Sequence, residues 1–268
     1  MKKSKYIVDT TLCEGELLNG FSMTKEQRIK IAACLDNANV LQIEAGIPSK
    51  GSVEKDIICE INSNKNNSKI SVWNGMNLSD IKHSLDCNVN IIHISVPVSY
   101  IQIYTKLKKN KAWVIKNLSE CVDAAKASGC EVTVGFEDAS RADMTFIVSL
   151  AIMLKDMGVS RIRFADSVGI LPPSRTFKII KELIDYSGIE VEFHSHNNLG
   201  MAIANSIQAA KAGADFIDTT ISGIGLGFGL CSFQNFIYVA EPLFNLGVSR
   251  MEAIHIENQV QSILSNDT

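Results

Sequence analysis

Short runs rich in β-branched and aromatic residues alternate along this chain with longer amphipathic runs. The strand-like runs are 6–11 (YIVDTT), 40–48, 69–76, 90–99, 131–138, 161–169, 191–198 and 214–223. Between them, segments such as 24–38, 112–129 and 174–188 carry apolar residues three to four apart, with Gly or Asn near their ends. That spacing is the signature of amphipathic helices. Eight successive strand–helix units predict a parallel sheet, and closure into a (β/α)₈ TIM barrel is its economical arrangement.

No linker divides the chain, and its strongest punctuation, Leu171-Pro172-Pro173-Ser174, falls where a βα loop should lead into a helix. The expected organisation is a single barrel over residues 1–245 with a short helical tail over 246–268. A doubly wound open sheet is the main structural rival. It would normally place a glycine-rich phosphate turn after the first strand, whereas residues 9–16 read Asp-Thr-Thr-Leu-Cys-Glu-Gly-Glu.

A net charge of −3 gives no general attraction for nucleic acid or an anionic membrane, so neither is expected as a partner. The apolar stretch behind Lys2, Lys3 and Lys5 is too short for a secretory signal, and no run approaches the ~18 apolar residues of a membrane helix. A soluble cytoplasmic protein is expected. Seven cysteines without a CxxC pair suit reduced thiols better than a disulfide framework. The lysines between 106 and 111 read as a solvated loop.

Chemistry in a barrel of this kind sits at the carboxyl ends of the strands. Polar residues gather there: Asp9, Glu14 and Glu16 after the first strand, Glu44 after the second, Glu137 and Asp138 after the fifth, Asp166 and Ser167 after the sixth, His194 and His196 after the seventh. Residues two apart on a strand share a face, so both imidazoles can address one ion. Barrel closure would bring Glu14 near them, giving two histidines and a carboxylate with open positions for an oxo acid. Magnesium, manganese and zinc all suit such a set. Other residues keep two readings. Glu137 either caps the next helix and pairs with Arg141 or acts in chemistry; His93 is a satisfied buried histidine or a catalyst; Ser167 caps a helix or donates to a substrate carboxylate.

The strings Asp9-Thr10-Thr11-Leu12, Glu44-x-Gly46-x-Pro48, Ser95-Val96-Pro97-Val98-Ser99, Glu137-Asp138-Ala139-Ser140-Arg141-Ala142-Asp143, Phe164-Ala165-Asp166-Ser167-Val168-Gly169 and His194-x-His196-Asn197-x-Leu199-Gly200 occur in this order. At these residues the sequence resembles the homocitrate synthase and isopropylmalate synthase family of metal-dependent acyl-CoA condensing barrels. It is most similar to the homocitrate synthases of nitrogen fixation, which serve the nitrogenase molybdenum cofactor. The resemblance implies condensation of acetyl-CoA with 2-oxoglutarate, followed by thioester hydrolysis. It implies Glu14, His194 and His196 as ligands of a divalent metal ion, Glu137 as an acid/base or orienting residue, Ser167 as a donor to the oxo acid, and Glu44 as a carboxylate behind the ligands.

Departures from that pattern are equally specific. The family reads Leu-Arg-(Asp or Glu)-Gly-Glu-Gln where this chain has Leu12-Cys13-Glu14-Gly15-Glu16-Leu17, so Cys13 occupies the substrate-binding arginine position. After the eighth strand the family reads Gly-Glu-Arg-x-Gly-Asn, against Gly225-Leu226-Gly227-Phe228-Gly229-Leu230. Family members also continue into a helical region, whereas only residues 224–268 follow the last strand here. The expectation is a homocitrate synthase subunit working in a homo- or hetero-oligomer, with a complementary synthase subunit supplying the arginine and helical region. A non-catalytic structural or regulatory barrel subunit, a related isopropylmalate or citramalate synthase, and a metal-dependent lyase are the alternatives.

Overall fold

The computed structural model describes residues 2–18 and 20–265. Residues 1 and 19 of the expected barrel and residues 266–268 of the expected tail lie outside the described residues. Eight parallel strands close into a barrel in chain order: β1 (Tyr6–Asp9), β2 (Gln42–Glu44), β3 (Lys69–Gly75), β4 (Ile91–Pro97), β5 (Glu131–Glu137), β6 (Arg161–Asp166), β7 (Glu190–Ser195) and β8 (Phe216–Thr219). Closure is made by β1 on β8, with Tyr6 opposite Phe216 and Asp9 opposite Thr219.

Each strand is shorter at its carboxyl end than its apolar run, because the chain leaves the hydrogen-bonded ladder where it turns over the barrel mouth. The largest departure follows β1. Residues expected to end that strand form a one-turn helix, α1 (Thr11–Gly15), which carries Cys13 and Glu14.

Helices α2 (Lys25–Asn37), α3 (Ser52–Asn64), α4 (Leu78–Leu85), α5 (Lys111–Lys126), α6 (Met144–Asp156), α7 (Pro173–Ser187), α8 (Ala202–Ala212), α9 (Phe233–Ala240) and α10 (Arg250–Ser265) surround the strands. Thr24 and Gln27 form a reciprocal capping box at the start of α2. α10 buries Ala253, Ile256 and Val260 in the common core, and Ile263 accepts a hydrogen bond from Gln27 on α2.

The strands largely alternate in character. Ile43, Val72, Ile92, Ile94, Val134, Ile162, Phe164, Val191, Phe193 and Ile217 belong to the apolar core. Between them many positions, such as Arg161, Arg163, Glu192 and Asp218, are polar, and their buried charges pair across the lumen. Arg161 donates to Glu192 at 2.6 Å and lies 4.1 Å above the Phe216 ring. Arg163 also reaches Glu192, and meets Glu44 at 2.7 Å and Asp218 at 2.9 Å. Glu192 is thus a shared acceptor. Burial alone would push its carboxyl upward, but the two guanidiniums hold it well below the usual carboxylate range.

A depressed folded-state pKa contributes stability above the unfolded pKa, lost as pH falls through the folded one. Glu192→Gln is therefore expected to lower unfolding free energy by about 3–5 kcal/mol at pH 7, the cost of stranding a buried charge. The difference should shrink in acid, where the wild-type carboxyl also protonates. Denaturant unfolding of both proteins across pH checks this; an equal deficit at every pH would exclude the electrostatic cause.

Candidate functional site

The barrel mouth holds a cavity of about 280 Å³ whose walls include Cys13, Glu14, His93, Glu137, Arg163, Ser167, His194 and His196. Glu14 rides on α1, tipped inward by the turn that follows β1. His194 Nε2 lies 3.7 Å from Glu14 Oε1, and the His194 and His196 rings meet edge-on with centroids 5.2 Å apart. No three His, Cys, Asp or Glu side chains among the described residues stand close enough together to form a ready-made metal cage.

The chemistry of the donors nevertheless suits a divalent cation. His194 Nδ1 is 2.9 Å from Asp218 Oδ2, and that oxygen is also 2.9 Å from Arg163 Nε. An oxygen facing a guanidinium is an acceptor, so the imidazole proton sits on Nδ1 and Nε2 keeps its lone pair. Burial, reinforced by His196 and Arg163, holds the His194 pKa well below its ordinary value, and burial lowers that of His196. Both rings are thereby kept neutral, the form in which an imidazole can bind a cation. Glu14 Oε2 is buried with no partner, and burial together with Glu44 pushes this carboxyl up to about 7. A cation there would satisfy that oxygen. An apolar neighbour stands close by: a Cβ added at Gly225 would meet Leu230 Cδ1 at 1.7 Å and Glu14 Oε2 at 3.7 Å, which places Leu230 beside this carboxylate.

Two of the alternatives left open by the sequence are excluded. Glu137 does not pair with Arg141 or cap the next helix; Arg141 grips Asp138 through two 2.7 Å bonds, and Asp143 caps α6 by accepting from the Thr145 amide. Asp138 takes a left-handed conformation, φ 58°, which turns the chain immediately behind Glu137. Glu137 instead accepts from Ser95 Oγ at 2.7 Å. Ser167 caps no helix, since α7 starts only at Pro173 behind Pro172. Its hydroxyl accepts from the Asp138 amide at 3.1 Å and keeps its own proton for another partner.

His93 is both buried and part of the cavity wall, with Nδ1 2.8 Å from Thr133 Oγ1. Glu44 is spent on Arg163, and the Cys13 thiol is pushed well up by burial and by that same carboxylate. Arg163 and Asp218, which orient His194, did not emerge from strand-end reasoning because they lie deeper in the lumen. Their signal is the two-residue alternation of Arg161, Arg163 and Ala165, and of Glu192, His194 and His196.

A family model described as HMGL-like matches residues 4–260. The chain belongs to the HMGL-like family. It is 44% identical over 261 residues to homocitrate synthase subunit alpha of Clostridium pasteurianum, covering 96% of this chain and 97% of that one. It is 38% identical to 2-isopropylmalate synthase 2 of Caldanaerobacter subterraneus and 37% identical to homocitrate synthase 1 of Nostoc sp., over 91% and 90% of this chain. It spans 64% of the length of each of these two longer relatives. Among solved structures, hydroxymethylglutaryl-CoA lyase from Pseudomonas aeruginosa superposes with a TM-score of 0.86 at 15% identity, covering 100% of this chain and 95% of that one. At that identity the likeness concerns the fold alone.

In this HMGL-like barrel the close approach of β5 to His93 has a measurable consequence. A Cβ at Gly135 would stand 2.5 Å from His93 Nε2. Gly135→Ala is expected to cost about 1–3 kcal/mol of stability through overpacking, and His93→Ala in the same background should return most of it. A double-mutant cycle of denaturant midpoints checks the coupling; additive losses would mean that the two residues do not collide.

Proposed function

We propose that this chain is the barrel subunit of a homocitrate synthase, condensing acetyl-CoA with 2-oxoglutarate in the cytoplasm for nitrogenase molybdenum-cofactor synthesis, and working with a complementary subunit. The observation that carries this reading is the meeting of Glu14, His194 and His196 at one mouth with Glu137 and Ser167, in a chain 44% identical to a homocitrate synthase subunit. That relative's designation as a subunit supports an oligomeric enzyme.

Glu14, His194 and His196 would hold a divalent ion, magnesium, manganese or zinc, which when bound supplies Lewis-acid polarisation of the 2-oxo acid. Asp218 holds the ring of His194 in the ligating tautomer. Ser167, with its proton free, donates to the oxo-acid carboxylate. Ser95 fixes one oxygen of Glu137, leaving the other to take a proton from the acetyl methyl group of the thioester. Leu17 and Leu226 line the mouth beside these groups.

The weak element is charge. Cys13 presents no cation at the place where the family carries arginine, and Arg163 is already shared among Glu44, Glu192 and Asp218. The complementary subunit would supply a cation for the developing alkoxide. A second reading, a non-catalytic regulatory barrel, is favoured by Cys13 together with Leu230, which puts a hydrocarbon beside Glu14.

Manganese titration of the metal-stripped protein is expected to show one site, weakened at least about a hundredfold in the His194→Ala/His196→Ala double variant, since even residues behind the ligands are worth about 10–100-fold. Unchanged affinity in that variant would remove the site.

Cys13→Arg is expected to raise homocitrate formation at least about tenfold, because one lost electrostatic donor commonly costs ~10²–10³ in rate. The triple change Cys13→Arg, Leu17→Gln, Leu230→Asn should gain more. The assay is homocitrate production with metal binding measured in parallel. A triple variant that binds metal and both substrates yet gains nothing favours the regulatory reading.

A further inference from the structure

Glu257, on α10, is a carboxylate only 5% exposed that the proposed condensation does not use. It forms part of the wall of a second cavity, of about 270 Å³, between α8, α10 and the loop that runs from β8 to α9. Gly223, Phe228 and Leu230 of that loop line this cavity, whereas Leu226 and Gly227 line the mouth. One loop thus contributes to two cavities that share no residue. Ser222, in a left-handed conformation at φ 55°, donates its hydroxyl proton to Glu257 Oε1 at 2.5 Å and accepts from Gln261 Nε2 at 3.3 Å. Glu257 Oε2 is buried with no partner.

Other buried carboxylates of this chain carry their own cation: Glu54 faces Arg28, Glu44 faces Arg163, and Glu192 faces Arg161 and Arg163. Among the described residues the wall around Glu257 contains no Lys, Arg or His. Burial raises the Glu257 carboxyl, and its bonds to Ser222 oppose the rise. Asp9, whose Oδ2 is likewise buried without a partner, is pushed up to about 7, chiefly by burial and in part by the Glu257 charge. A cation set against Oε2 would offset both the desolvation of Glu257 and its repulsion of Asp9.

The rest of the wall selects the kind of cation. Ile203 from α8, with Phe228 and Leu230, supplies hydrocarbon, while Ser232 and Asn235 supply neutral oxygens. A bare metal ion needs a cage of ligands, and no three His, Cys, Asp or Glu side chains among the described residues gather into one. An ammonium on a short alkyl chain suits both halves of the wall. Its N–H groups can reach the carboxylate and the neutral oxygens, and its methylenes the hydrocarbon. The wall offers nothing cationic to a carboxylate, so the ligand carries positive charge alone.

We propose that this cavity is a second binding site, in which Glu257 is the counter-ion of a primary ammonium on a short alkyl chain, either a free alkylamine or the side chain of a protein-borne lysine. The site includes none of Glu14, His194 and His196, and it stands whether or not the mouth carries out the proposed condensation. A ligand bound there would touch the same loop that forms one side of the mouth.

The test is a nitrogen-15 NMR titration of the full chain with n-butylammonium and with 1-butanol, which has the same carbon chain and no charge. Butylammonium is expected to shift the amide resonances of Ser222, Gly223 and Asn235. Glu257→Gln keeps the shape of the side chain and removes its charge. It is expected to weaken butylammonium at least about tenfold, as loss of a hydrogen bond to a charged group does, and to leave the weaker binding of 1-butanol within about threefold of wild type. Ile203→Trp, which fills the cavity from α8 with Glu257 in place, should weaken both probes and carries the comparison should Glu257→Gln fold poorly. Nα-acetyl-lysine N-methylamide separates the two sources of the ammonium. Affinity like that of butylammonium assigns the site to a protein-borne lysine, and binding of butylammonium alone assigns it to a free amine. No shift with butylammonium in the wild type, or shifts centred on His194 and Glu137, would overturn the proposal. Equal butylammonium affinity in wild type and Glu257→Gln, or 1-butanol binding as tight as butylammonium, would do the same by making the cavity a plain apolar cleft.

Discussion

Buried charge inside the barrel has to be neutralised by partners on other strands, and that requirement governs both the fold and the site. Arg163 on β6 meets Glu44 from β2, Glu192 from β7 and Asp218 from β8. These strands are not all neighbours, so the network is complete only when the sheet closes. An open sheet of the same sequence could keep the Arg163–Glu192 pair of neighbouring strands but would leave Glu44 without its guanidinium, at a cost of several kcal/mol. Closure and charge pairing are one event here. Asp218 carries the network into the site, since the same oxygen that faces Arg163 fixes the tautomer of His194.

The network also explains what the mouth lacks. A guanidinium engaged by three carboxylates has little attraction left for an anion developing in the cavity above it. A cation in place of Cys13 would lie against Glu44, the carboxylate that already contacts the thiol and holds one branch of Arg163. Cys13 and Arg163 thus share one neighbouring carboxylate, Glu44. Loop residues complete the same trend. Between β8 and α9 the chain runs Gly225-Leu226-Gly227-Phe228-Gly229-Leu230, held tight by the Asn197 amide on the Gly229 carbonyl and the Leu230 amide on the Gly223 carbonyl. A side chain at Gly229 would run into Gly223 O at 2.2 Å, so the loop's path depends on glycine there.

Much of this was legible in the sequence and some was not. The eight-unit alternation gave the strand count and parallel sense because both depend on local periodicity. The spacing of His194 and His196 placed both rings on one face, since two-residue repetition is a property of any strand. Strand ends were overextended: the first strand was read through Thr11, whereas β1 ends at Asp9 and Thr11 opens the turn of helix that crosses the mouth. Glu137 was open to pairing with Arg141 because four residues separate them; the left-handed turn at Asp138, which hands Arg141 to Asp138 instead, has no marker in residue type beyond the tolerance of aspartate for that conformation. The roles of Arg163 and Asp218 depend on contacts between strands far apart in the chain, such as Arg163 on β6 with Asp218 on β8, which no local pattern encodes.

The interior alternation has a further physical meaning. A barrel that needed only stability would fill its lumen with branched apolar residues, which pack densely and carry no desolvation cost. Polar residues line this one from Gln42 and Ser71 low in the barrel, through the Arg161 and Arg163 pairs, to Glu14 and His194 at the mouth. Each layer satisfies part of the one above it: Gln42 and Glu192 hold Arg161, Glu192 and Asp218 hold Arg163, and Asp218 holds His194. Orientation of the uppermost ring is thus fixed from below by paired charges rather than by solvent-exposed loops. A substitution near the floor of the lumen would reach His194 through these bonds even where it leaves the apolar shell between strands and helices intact.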